Sequence, residues 1–132
     1  MNILPVKNKQ DLRRFIHFPY EFYRGDPGWI PPLRAELRAQ FNLSTNPLLE
    51  HCDTQLFLVT DGKEILGRVA AFIDHLAVDF WNEPIGLFGY YECIPDGGAS
   101  RKLLTAAADW LRAQGMESMR GPWTFVSQEW GL

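Results

Sequence analysis

A mixed-sheet α/β (α+β) domain, with an antiparallel meander feeding one parallel crossover, is the fold class this chain predicts, and three observations predict it. Asp61-Gly62 separates two strand-forming runs, Thr54 to Thr60 and Glu64 to Asp74, as a hairpin turn does. The run IGLFGYYECI from Ile85 is apolar on both faces, with Ile85, Leu87, Tyr91 and Cys93 alternating with Phe88, Tyr90 and Ile94, which marks a central strand. A glycine loop, PDGG, then leads through ASRKLLTAAADWLRAQG to MESMRGPW, so strand, helix and strand make a right-handed βαβ unit.

The elements follow in order. Ile3 to Val6 reads as a short first strand, and Leu12, Phe15, Ile16 and Phe18 space a helix from Lys9 that Pro19 is expected to kink or end. RGDPGWIPP is a loop, and Pro31 and Pro32 suit the first turn of a second helix carrying Leu33, Leu37 and Phe41 on one face. Asn42 to Cys52 reads as an irregular connection, and a less defined turn covers His75 to Pro84 after the hairpin. In the helix after PDGG, Leu103, Leu104, Ala107, Ala108 and Leu111 form one stripe, and Gly115 stops it. The order is β-α-α-β-β-β-α-β. The chain ends soon after a strand that should have neighbours on both sides, so residues 1–132 are expected to form one incomplete domain.

Bulk properties narrow the function classes. A chain of 132 residues suits a single core, and 46% hydrophobic content with five tryptophans excludes disorder. The net charge of −3 gives no global attraction to nucleic acid or anionic membrane. No signal-peptide core or long apolar run is present, so the expected location is cytoplasmic, without membrane or nucleic-acid partners. Cys52 and Cys93 lack metal-ligand spacing, His17, His51 and His75 are scattered, and no metal site is expected.

The start of the helix after PDGG sits at the carboxyl end of a buried strand, where open α/β sheets bind ligands. Unpartnered N–H groups and the positive end of the helix dipole would favour an anion there, most simply a phosphate. A plain strand-to-helix turn is the alternative reading of Gly97-Gly98.

LFLVTDGKEILGRVAAFID, GLFGYYECI and ASRKLLTAAADWLRAQG, in this order, resemble the hairpin, fourth strand and following helix of the GNAT superfamily of CoA-dependent N-acyltransferases. FPYEFYRGDPGWIPPLR, NPLLEH, FGYYEC and RGPW are similar to the amino-terminal half of a poorly characterised bacterial family of GNAT-like proteins. The resemblance reaches from the first to the fifth strand. It implies acetyl-CoA or another acyl-CoA as co-substrate, with the pantetheine arm along Cys93 and Ile94 and the pyrophosphate at Gly97, Gly98, Ala99, Ser100 and Arg101. The glycines permit close approach, and Arg101 and Lys102 add positive charge. The loop departs from the superfamily's usual pattern, since Asp96 brings a negative charge and Pro95 removes a backbone donor.

Glu92 is the candidate general base, because desolvation on an apolar strand makes a carboxylate more basic. A glutamate merely held by hydrogen bonds is the alternative. Tyr20, Tyr23, Trp29 and Arg34 fall where the resemblance places the acceptor pocket, and could equally be aromatic-proline packing around a loop. Ser127 and Glu129 resemble a polar phrase of the longer family. The reading is an acyltransferase-like domain acting on a small-molecule or peptide amine, with self-association through the edge of the last strand expected. A non-catalytic binding module or an inactive fragment is the competing reading.

Overall fold

In the computed structural model of the protein, the residues described are 1–29, 31, 35, 38–39, 41–42 and 52–123. They build a five-stranded sheet of β1 (Asn2–Pro5), β2 (Cys52–Asp61), β3 (Glu64–Asp74), β4 (Ile85–Cys93) and β5 (Ser118–Trp123), in that spatial order. The first three junctions are antiparallel, and β4 runs parallel to β5. The meander and the single crossover expected from the sequence are both present.

Among the described residues, three continuous helices accompany the sheet: α1 (Lys9–Phe22), α2 (His75–Trp81) and α3 (Gly97–Ala113). Leu103, Ala107 and Leu111 of α3 pack one sheet face against Phe57, Val59, Val69, Ala71 and Ile73. Phe15 and Ile16 of α1, with Phe41, pack the other against Leu56, Leu58 and Ala70. Successive residues of β2 and β3 thus enter opposite layers, which explains why both strands read as continuous apolar runs.

Local chemistry corrects several expectations. The segment after His75 is not a loose turn: Asp74 accepts hydrogen bonds from the Leu76 and Ala77 amides at 3.1 and 3.3 Å and caps α2, and Asn82 at φ 52° ends it. No residue of α2 is buried, so it lacks the apolar stripe by which a helix announces itself. The hairpin turn is Gly62-Lys63 rather than Asp61-Gly62, because Asp61 still pairs with Glu64 and Gly62 takes the positive φ of 63°. Helix α1 starts at an Asn8 cap and continues through Pro19. Of the second helix expected from Leu33 to Phe41, Ala35, Arg38 and Ala39 are helical and Phe41 lies in a turn, while the remainder, the connection over 43–51, and Arg34, His51, Ser127 and Glu129 lie outside the described residues.

Gly67 lets β3 and β4 meet beneath α3. A Cβ added there would stand 2.8 Å from Leu103 Cδ1, 2.9 Å from Cys93 Sγ and 2.9 Å from the Glu92 carbonyl oxygen. The side chains can turn, whereas the carbonyl is fixed by strand pairing. Gly67→Ala is expected to lower stability by about 1–3 kcal/mol, read as a lower denaturation midpoint at unchanged slope; an unchanged midpoint would show that the strands yield freely.

Candidate functional site

A bulge in β4 decides which side chains reach the α1 face. Ala70 pairs with Gly89 and Arg68 with Glu92, so Tyr90 and Tyr91 together oppose Val69. Tyr90 adopts φ 53°, a left-handed conformation that costs a non-glycine residue about 1–3 kcal/mol. The extra residue shifts the alternation. Phe88, Tyr91 and Cys93 pack with the α3-side core, whereas Tyr90 joins the α1-side core. The simple alternation read from the sequence, with Phe88 and Tyr90 on one face, is therefore corrected, and Glu92 points toward α1.

Helix α1 reaches Glu92 through a proline and an arginine. Pro19 has no N–H to give the Phe15 carbonyl, its partner one turn earlier. Arg68 of β3 supplies the missing donor, with Nη1 2.9 Å from the Phe15 oxygen. Its guanidinium lies 4.9 Å from the Phe15 ring centroid and 5.8 Å from that of Tyr90. Arg68 is 5% exposed, and among the described residues its Nε has no hydrogen-bond partner. Burial brings its pKa down to about 10, and the charge of Glu92, its cross-strand partner, pulls the other way. The sequence analysis missed Arg68; a lone charge inside the apolar run ILGRVAAFID was the available signal.

One turn beyond Pro19, the Tyr23 hydroxyl donates to Glu92 Oε2. This hydrogen bond, aided by burial, pushes the phenol up to about 12, so Tyr23 stays protonated at neutral pH. Tyr23 stacks on Trp29 at 5.0 Å and 16°, and Tyr20 meets Trp29 edge-on at 5.5 Å. The structure thus brings Glu92 to Tyr20, Tyr23 and Trp29, more than 60 residues earlier in the chain.

The carboxyl end of β4 is arranged differently from the start of α3. Pairing of β4 with β5 runs from Ile85↔Ser118 to Gly89↔Trp123 among the described residues, while β4 continues beside β3 to Cys93. The Ile94 N–H donates to the Leu66 carbonyl at 2.9 Å, so that amide faces β3. Alternation turns the Cys93 amide to the β5 side. Burial pushes the Cys93 thiol up, which disfavours a thiolate nucleophile.

At α3, Asp96 Oδ1 accepts from the Gly98 and Ala99 amides at 2.8 and 3.1 Å, and the Ser100 hydroxyl pairs with Tyr91 at 2.5 Å. Arg101 is exposed. The acidic cap therefore already occupies two amides that an incoming phosphate would use.

This architecture recurs in solved structures. An aminoglycoside acetyltransferase from an uncultured soil metagenomic sample, solved with sisomicin, superposes with a TM-score of 0.61 at 18% identity over 90% of this chain and 74% of that one. The chain has a GNAT-type acetyltransferase fold. A candidate acetyl transferase from Pyrococcus furiosus shares it, with a TM-score of 0.57 at 18% identity over 98% of this chain and 89% of that one.

Two curated relatives are closer in sequence. A protein named bacterial ceramide synthase, from Caulobacter vibrioides, is 37% identical over all of this chain and 35% of its own length. Protein YghO of Escherichia coli is 37% identical over 95% of this chain and 32% of its own length. The chain thus spans about a third of the curated relatives it matches. No family model matches it. No helix among the described residues is long and apolar enough to cross a membrane.

The contacts of Arg68 and Glu92 can each be tested. Arg68→Met leaves the Phe15 carbonyl without a donor and should cost about 1–3 kcal/mol. Pro19→Ala restores a backbone N–H there, so it should recover much of that loss in the Arg68→Met background; strictly additive effects in the double-mutant cycle would show that the two donors do not share one acceptor. In Glu92→Gln, the Tyr23 phenol should titrate nearer about 10 than about 12, followed by ring-carbon NMR of the tyrosines. Identical Tyr23 titration in both proteins would remove the proposed control by Glu92.

Proposed function

We propose that the chain is part of an acyl-CoA-dependent N-acyltransferase, transferring an acyl group to an amine, with Glu92 as the base. The observation that carries this is the Glu92 carboxylate near the carboxyl end of β4, held by the Tyr23 hydroxyl beside Tyr20 and Trp29 and next in the chain to Cys93, whose amide faces away from β3 and would receive an extended acyl thioester. In the reaction the amine nitrogen bonds to the thioester carbonyl carbon, the carbon–sulfur bond breaks with its electron pair leaving on sulfur as the CoA thiolate, which takes a proton from solvent, and the proton lost by nitrogen passes to Glu92. Tyr23 holds Glu92 Oε2 and leaves the other oxygen for the amine. Tyr20 and Trp29 provide an aromatic wall favourable to an ammonium group. The relative's name supports the reaction class, since a ceramide is the N-acyl amide of a long-chain amino alcohol.

The start of α3 fits the pyrophosphate only if Asp96 releases the Gly98 and Ala99 amides. This capping favours a second reading, a GNAT-like module that binds without catalysis. Titration calorimetry of the chain with acetyl-CoA and with CoA separates the two. Saturable binding is expected for the enzyme, weakened by Gly98→Val. Asp96→Asn, which removes the charge and holds the Gly98 and Ala99 amides less strongly, should tighten binding by about tenfold, equivalent to about 1.4 kcal/mol. No binding by the wild type or by Asp96→Asn would sink the acyltransferase reading for this chain.

A further inference from the structure

A cleft of about 500 Å³ lies between the second half of α1 and the β2–β3 turn, within the usual size range of ligand pockets. Phe18, Phe22, Ile65 and Ile94 give it apolar walls, while Arg14 and Lys63 lie among its charged residues. One end adjoins Tyr23, which holds the candidate base: the Phe22 ring of the cleft wall meets the Tyr23 ring edge-on at a centroid separation of 4.8 Å, and the Tyr23 hydroxyl donates to Glu92. The charges are of both signs, because Glu21 and Glu64 accompany Arg14 and Lys63. A polycationic sugar would gain little from that balance. An uncharged chain would gain from the four apolar residues.

We propose that this cleft holds the alkyl chain of an amphiphilic substrate whose reacting head lies at Glu92. The assignment rests on the acyl-transfer reading for the role of the head, and two sources share the chemistry: the acyl group of a long-chain acyl-CoA, or the chain of a long-chain amine. Apolar burial then makes affinity rise with chain length, by up to about fourfold per methylene fully removed from water.

The test titrates the full 132-residue chain with hexylamine, octylamine and decylamine, and separately with acetyl-, octanoyl- and palmitoyl-CoA below micelle formation. Length dependence in the amine series assigns the cleft to the acceptor, and dependence in the CoA series assigns it to the donor. Ile65→Ser and Phe22→Ser should each weaken the longest ligand by about tenfold and spare the shortest, whereas Leu76→Ser, at an exposed apolar position on α2, should do neither. Should a variant unfold, a spin-labelled alkylamine on the wild type gives the same decision by broadening Phe22 and Ile65 resonances but not those of Leu76. No length dependence in either series, or equal broadening at Leu76, overturns the proposal. Alkylamine length dependence without CoA binding would retain the cleft and remove the acyl-transfer reading; acetyl-CoA binding without length dependence would do the reverse.

Discussion

Arg68 is the constraint around which the α1 side of the molecule is organised. A guanidinium buried in a sheet is tolerated only with compensating partners, since desolvating a charge costs several kcal/mol. Arg68 finds them in the Phe15 carbonyl, the Phe15 and Tyr90 rings, and the charge of Glu92. The partners belong to two structural devices, a helix that carries a proline and a bulged strand.

These devices act together on the candidate site. Pro19 frees a carbonyl for Arg68, and the helix continues one further turn to Tyr23. The bulge at Tyr90 reverses the alternation of β4, so that Glu92 meets Tyr23 on the α1 side. Unfavourable local choices, a proline inside a helix and a non-glycine residue at positive φ, are thereby concentrated where a carboxylate must be held. Such local strain is stable only when the surrounding structure over-determines it.

The start of α3 is already served from within the chain, since the Asp96 carboxylate accepts from the Gly98 and Ala99 amides that a bound anion would need. An N-cap aspartate stabilises the helix by the same electrostatics that would stabilise a bound anion. The one residue therefore serves the fold and opposes the ligand.

Periodicity alone determined much of this protein. The two-faced apolar runs of β2 and β3, the turn between them, the stripe of α3 and the glycine loop before it fix a meander followed by one crossover, because each signal comes from residues close in sequence. Glu92, Tyr20, Tyr23 and Trp29 could be singled out as residue types in suggestive segments. Only tertiary structure decided how they meet. The bulge depends on β3 register, Arg68 answers a carbonyl 53 residues away, and Tyr23 reaches Glu92 across 69 residues. Helix α2 escaped notice because none of its residues is buried, and Asp96 could be read as an unwelcome charge but not as the cap it forms. Pairwise contacts across such distances leave no period in a sequence, and that is why the scaffold was legible while the arrangement of the site was not.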